Sequence, residues 1–186
     1  MPPKVKVLRE RIIDAAIEIV RKSGAQAINA RNVASLLNCS TQPVFSNFAT
    51  MEELKVATVE RAEAICGEYI RQEVEAGKYP AYKASGMAYI RFAKEEKELF
   101  KLLYMRNREN EKATESDSLS NMMEDMVQKN TGLDNENVKL FHLEMWVYVH
   151  GIAVMAATDF IEFDTELVSR ILTDAYQGLR KQYGLE

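Results

Sequence analysis

Cysteine and histidine are nearly missing from this chain, and each shortage closes off a class of chemistry. Cys39 and Cys66 are the two cysteines in 186 residues. They are too few for a disulfide framework, and no CxxC spacing offers a zinc or dithiol site. The two histidines, His142 and His150, stand eight positions apart, which leaves them about 80° apart around an ideal helix. Neither belongs to a Glu-x-x-His or His-x-x-x-His pair, so no metal site is expected. The P-loop, the nucleophile elbow and the GxGxxG fingerprint are also lacking. Glu60 with Glu63 and Glu95 with Glu98 are carboxylate pairs by spacing. Both pairs sit among charged neighbours, a poor setting for general acid–base work. No catalytic residue, no cofactor and no enzymatic activity are therefore expected.

Turn-forming residues are scarce as well. Four prolines and eight glycines, spread through long periodic stretches, point to an all-α fold. The longest apolar run, 145–157, is about 13 residues and contains His150, short of the ~20 needed to span a bilayer. The first residues, MPPKVKVLRER, lack the apolar core of a signal peptide. A cytoplasmic protein without a membrane partner is the expectation.

An overall positive charge is missing too, since the formal net charge is −4. Its distribution matters more than its sum. Residues 1–50 hold seven Lys/Arg against three acids, a net of +4, and the remaining residues carry −8. A basic N-terminal end on an acidic body is the asymmetry of a protein that meets phosphate at one end only.

What is present concentrates in residues 36–54, LLNCSTQPVFSNFATMEEL. Val33, Ala34, Leu36 and Leu37 put apolar side chains on one face of a short helix, and Asn38-Cys39 break it with a turn. Ser40 is the expected N-cap of a second helix, with Pro43 in the first turn where its missing N–H is not needed. Val44, Phe45 and Phe48 are read as apolar anchors, with Thr41, Gln42, Ser46 and Asn47 polar. Two short helices joined in this way form a helix-turn-helix, whose second helix presents its N-terminal half to a major groove. The series Cys39-Ser40, Val44-Phe45, Phe48 and Glu52-Glu53-Leu54, together with Ile12, Ala15, Ala16, Ile19, Gly24, Ile28, Val33 and Ala34 upstream, resembles the TetR family of one-component transcriptional regulators. Phe45 stands where that family usually has Tyr, and Met51 where Lys is frequent. Phe45 therefore lacks a hydroxyl that often reaches a DNA phosphate.

Periodicity sets out the other elements. A first helix is predicted over 6–22, closed by Ser23-Gly24, and a second starting at Asn29 or Ala30. A long helix follows from Thr50 to about residue 76, ended by Gly77-Lys78-Tyr79-Pro80. Helices are predicted over 82–92 and 96–104, and the polar stretch 105–118 reads as a surface loop or frayed helix end. Leu119, Met122, Met123, Met126 and Val127 form a Met-rich stripe, ended at Gly132. Residues 138–158 are apolar nearly all round, and 165–182 carries a stripe of Leu167, Val168, Ile171, Leu172, Ala175, Tyr176 and Leu179. About nine helices result, with a three-helix DNA-binding head at 1–50 and a ligand-binding and dimerisation body at 51–186. One chain has too few helices to cover the last two, so a two-fold partner is expected to complete a four-helix bundle through them. Trp146 with His150-Gly151 also resembles the Trp-x-x-x-His-Gly pattern of one TetR C-terminal domain class.

The resemblance implies a homodimeric, ligand-responsive repressor on a palindromic operator in double-stranded DNA. The candidate DNA-binding residues are Lys6, Arg9, Arg31, Thr41, Gln42, Pro43, Ser46, Asn47 and Lys55. Gln42 suits adenine, and the cations suit phosphate. The candidate lining for a small-molecule effector is Phe100, Tyr104, Met122, Met126, Met145, Trp146, Tyr148 and His150, a deformable apolar set with a few polar tips. A helical binding or signalling module without an operator, or a small helical enzyme, are the alternatives from other classes.

Overall fold

The computed structural model describes residues 7–106 and 116–185, and the side chains of all of these except 116–119. Lys6 and most of the polar stretch at 105–118 lie outside the described residues. Among the described residues there are nine α-helices, one 3-10 turn at Ala25–Ala27, and no strand. The helices are α1 (Arg9–Ser23), α2 (Ala30–Leu36), α3 (Gln42–Asn47), α4 (Met51–Glu75), α5 (Ala81–Glu95), α6 (Lys97–Tyr104), α7 (Ser116–Thr131), α8 (Asn135–Ala157) and α9 (Thr165–Gln182).

Most of the boundaries are written in local chemistry. α1 ends at Gly24, whose φ of 78° is open to glycine, and whose N–H returns to the Val20 carbonyl. Asp134 and Asp164 cap α8 and α9 by accepting from the backbone N–H groups of Asn137 and Leu167, at 3.0 and 2.7 Å. At α4 the cap is reciprocal. Thr50 Oγ1 accepts from Glu53 N–H at 3.1 Å, and the Glu53 carboxylate accepts from Ala49 N–H at 2.8 Å.

The packing divides the chain into two units. The first holds the residues up to Gly67 together with Glu96–Arg106, and the second holds Glu68–Glu95 and the described residues beyond 107. In the first unit α1 buries Ile12, Ala16, Ile19 and Val20, and α6 buries Leu99, Phe100 and Leu103. An ion pair at the edge of this core fixes α1 to the start of α6. Arg21 donates through Nε and Nη2 to the two Glu96 carboxylate oxygens at 2.9 and 2.7 Å, and also reaches Glu18 at 2.8 Å. Two-pronged pairing of this kind is the strong form of an ion pair. It raises the Arg21 pKa further above its already high value.

In the second unit α5 packs along α8 and α9. Gly86 lies in this contact: a Cβ there would lie 3.3 Å from Leu172 Cδ1 and 3.4 Å from Val149 Cγ2. Phe141, Val127, Val138 and Met145 form a buried cluster, with Tyr82, Tyr176, Leu179 and Tyr183 packed against it. Two tyrosine–histidine hydrogen bonds stitch α5 to α8, Tyr82 hydroxyl to His142 Nδ1 at 3.0 Å and Tyr89 hydroxyl to His150 Nδ1 at 2.9 Å. Because 82 pairs with 142 and 89 with 150, the two helices run in the same direction. On α9, Ser169 and Thr173 accept from Lys83 Nζ, each at 2.8 Å. By length and composition α8 could cross a membrane. It nevertheless carries Glu136, Lys139, His142 and Glu144, and part of its surface is used against α5, α7 and α9.

Burial lowers the pKa of both histidines below the ordinary imidazole value, with Glu124 opposing it in part at His142. The unfolded chain therefore takes up these two protons more readily than the folded one. The stability that the neutral rings contribute is whole above about pH 6.5 and is lost as pH falls from there through the folded values. Thermal unfolding followed by circular dichroism is expected to give a constant midpoint from pH 8 to about 6.5 and a falling one towards pH 5. The double variant His142→Gln, His150→Gln should flatten that decline. An equally steep decline in the variant would remove the histidines as its cause.

Candidate nucleic-acid interface and effector body

The helix-turn-helix is built from α2 and α3. Asn29 caps α2 by accepting from Asn32 N–H at 2.9 Å, and the Asn32 amide donates to the Ala27 carbonyl at 2.8 Å. α2 closes in a Schellman turn: Cys39 N–H reaches the Ala34 carbonyl at 3.0 Å and Asn38 N–H the Ser35 carbonyl at 3.2 Å. The turn needs a left-handed residue between them, and Asn38 supplies it with φ of 52°. Val33 and Ala34 on α2, Val44 on α3, and Phe48 just beyond it are buried and hold the pair together.

Two expectations about α3 are corrected here. The N-cap is Thr41, not Ser40, and no side chain caps it. A capping oxygen bonds the second or third amide of a helix, and the second position here is Pro43, which has none. Thr41 instead enters with helical backbone angles and accepts the Phe45 N–H at 3.3 Å through its carbonyl. Phe45 is also not an anchor, because its side chain is 54% exposed. Val44 and Phe48, four residues apart, already fill the inward face.

The candidate DNA-binding side chains separate into three groups. Gln42 and Ser46 are exposed on α3, and the Ser46 hydroxyl donates to the Gln42 carbonyl at 2.8 Å while keeping lone pairs outward. Thr41 and Pro43 are half-buried beside them. Asn47 is occupied: its amide nitrogen donates to the Pro43 carbonyl at 2.8 Å and to the Val7 carbonyl at 3.2 Å. It fastens the chain entering α1 to the end of α3.

Among the cations, Arg31 is exposed and has no ion pair among the described residues. Arg9 lies over the Phe48 ring, 4.5 Å from its centroid, and 3.6 Å from the Glu53 carboxylate. Lys55 sits 3.4 Å from Glu52. Both ion pairs are largely exposed, and such pairs contribute at most about 1 kcal/mol, so a phosphate competes with them easily. Lys6 lies outside the described residues.

The eight effector candidates divide between the two packing units. Phe100 and Tyr104 belong to the first unit, where their rings pack at 5.1 Å and the Tyr104 hydroxyl lies 3.9 Å from Cys66 Sγ. The Cys66 thiol pKa is pushed up to about 11 by burial, which leaves it a packing group rather than a reactive one. The others lie in the second unit. Met145 is buried in the Phe141 cluster, and Met126 is half-buried with Met122 exposed. His150 is bonded to Tyr89 and stacks on Trp146, with ring centroids 4.7 Å apart and planes 11° from parallel. Trp146 and Tyr148 are exposed. A Met and aromatic stripe gives the spacing of a lining without saying which face it occupies.

Sequence reasoning passed over Tyr82 and Tyr89. Their spacing of seven on α5, set against the eight between the histidines on α8, was the available signal for a paired contact, though not for its direction. The sequence marked 138–158 as apolar nearly all round, and the outer face of α8 is the part that stays exposed. Leu140, Leu143 and Val147 are all exposed there at helical spacing, and a Cβ added to Gly151, one turn on, would meet no atom within 4 Å. Gly178 on α9 is similarly open.

With this geometry in hand, comparison with known proteins is direct. The tetracyclin repressor-like C-terminal domain family matches residues 82–176, just over half of the chain. No curated protein sequence matches. Among solved structures, a TetR-like transcriptional regulator from Rhodococcus sp. RHA1 superposes with a TM-score of 0.70 at 15% identity, covering 99% of each chain. A TetR family member from Streptomyces coelicolor A3 gives 0.67 at 18% identity, over 90% of this chain and 96% of its own. The multidrug-binding protein EbrR, in complex with imidazole, gives 0.58 at 18% identity, over 90% of this chain and 88% of its own. At such identities the superpositions speak for the fold, and the family match speaks for descent. The chain belongs to the tetracyclin repressor-like, or TetR, family of transcriptional regulators.

Proposed function

We propose that this protein is a ligand-responsive repressor that binds a palindromic operator as a homodimer, in the cytoplasm. One observation carries the reading: α2 and α3 are locked by buried Val33, Val44 and Phe48, while Gln42 and Ser46 on α3 and Arg31 at the start of α2 remain exposed. In this reading residues 1–50 are the DNA-binding head and 51–186 the ligand-binding and dimerisation body. Gln42 reads a base edge, Ser46 and Thr41 reach phosphate or base through their hydroxyls, and Pro43 shapes the approach. Arg31, Arg9, Lys55 and Lys6 supply sequence-independent affinity. Asn47 acts by holding α3 in place.

The dimer reading is supported by the outer face of α8. Val147 is 58% exposed and Leu143 52%, and an apolar stripe of this kind on a folded chain marks an interaction surface. Glycine inside a helix costs about 1 kcal/mol relative to alanine. The open positions of Gly151 and Gly178 are accounted for if a second copy brings its helices close. Effector binding is a property of the body in this reading. It shifts the population between two head arrangements through α4, whose residues are shared between the two packing units. EbrR is a multidrug-binding protein whose structure holds imidazole. It supports a small organic effector here as a class and no particular compound.

Three measurements test the reading. In a gel shift with the DNA upstream of its own gene, at moderate salt, binding is expected to exceed that to random duplex by a factor of at least about 10³. Equal binding to both would end the regulator reading. Gln42→Ala should weaken operator binding by about 1–3 kcal/mol per half-site, while Arg31→Ala should weaken specific and random DNA alike and lower the salt slope by about one per half-site. For the assembly, light scattering should give about 42 kDa, twice the 21.2 kDa chain. Leu143→Glu with Val147→Glu should bring that down to the monomer value with helicity retained. A wild-type mass of 21.2 kDa at micromolar concentration would remove the dimer.

A further inference from the structure

Phe45 has no role in the core and none in the grip on phosphate. Its position on α3 is nevertheless central. Gln42, Phe45 and Ser46 fall at i, i+3 and i+4 on one face of the helix, and all three are exposed. Val44 and Phe48 are buried on the opposite side. The polar groups nearby are already partly committed, the Asn47 amide to the Pro43 and Val7 carbonyls and the Ser46 hydroxyl to the Gln42 carbonyl. What the outward face offers at its centre is one amide and one phenyl ring.

A phenyl ring has no hydrogen-bonding atom, so it neither grips a phosphate nor pairs with a donor or acceptor on a base edge. The major groove displays one apolar group that complements it, the 5-methyl group of thymine. Three residues along a helix is about 4.5 Å, close to one base-pair step, so the ring falls next to the base that Gln42 reaches. Resting on the reading of α3 as the recognition helix, we propose that Phe45 is a specificity-determining residue that packs on a thymine methyl group adjacent to the base read by Gln42. Each half-site then requires a thymine at that step, and the requirement comes from hydrophobic contact rather than from a hydrogen bond. Exposure of the ring in the unbound protein is the cost, and it is recovered when water leaves the ring and the methyl group together.

The test uses the full-length protein and the duplex upstream of its own gene, prepared once with thymine and once with deoxyuridine throughout, which deletes the methyl groups and leaves every hydrogen-bonding atom in place. Wild-type protein is expected to bind the deoxyuridine duplex more weakly by about fourfold for each methyl buried against a ring. Phe45→Ala should bind the thymine duplex more weakly than wild type and lose most of the difference between the two duplexes. Phe45→Leu, which keeps an apolar side chain, should retain part of that difference. Equal wild-type affinity for the two duplexes, or an undiminished ratio in Phe45→Ala, overturns the proposal while leaving operator binding standing. Wild-type binding to the thymine duplex no tighter than to random DNA brings down the regulator reading and this proposal with it.

Discussion

A helix that is apolar nearly all round has to be covered on several faces, and α8 is that helix. Its inner residues, Phe141, Met145 and Ile152, are taken up by the second unit. α5 can approach because Gly86 has no side chain to hold it off. Burial lowers the pKa of the two histidines on α8, and each has a tyrosine hydroxyl as partner. After these contacts are made, Leu140, Leu143 and Val147 are still in water. The body therefore has a packed interior and an uncovered apolar seam on one and the same helix, and the seam is what a second copy would remove from solvent.

The reading head obeys a different economy. Around α2 and α3 the buried set is small, Val33, Ala34, Val44 and Phe48, and polar side chains do much of the fastening. Asn29 and Asn32 fix the start of α2, Asn38 takes the left-handed turn, Asn47 ties α3 to the strand of chain entering α1, and Glu53 closes the start of α4. Asparagine recurs because its short amide satisfies backbone groups that a six-residue helix cannot satisfy by itself. The acidic residues near the head are part of this framework as well. Glu53 is a cap first and a neighbour of Arg9 second, so its negative charge beside the proposed phosphate surface follows from helix geometry.

Much of this was legible in the chain. The last helix, 165–182, was read from its leucine stripe with the bounds that the fold has, and the start of the second helix was read at Asn29 or Ala30, where the fold has its cap and first residue. The errors arose where a residue's part depends on what lies across from it. Ser40 looked like a cap until Pro43 fell on the second position of α3, where the capped amide would have been. Phe45 looked like core because phenylalanine usually is, yet Val44 and Phe48 had already filled the space. Periodicity names the faces of a helix, and only the neighbouring elements say which face is inside.

The double hydrogen bond of Asn47 sets a limit on how this protein could be given a new target. Its amide holds the Val7 and Pro43 carbonyls at once, so a change at 47 disturbs the placement of α3 before it alters any preference for sequence. Val44 and Phe48 are excluded by burial, and Pro43 by its place in the first turn. A designer who wished to redirect the protein to another stretch of DNA would have four positions to vary, 41, 42, 45 and 46. Within so short an alphabet, changes of preference are expected to come as discrete jumps from one side-chain chemistry to another.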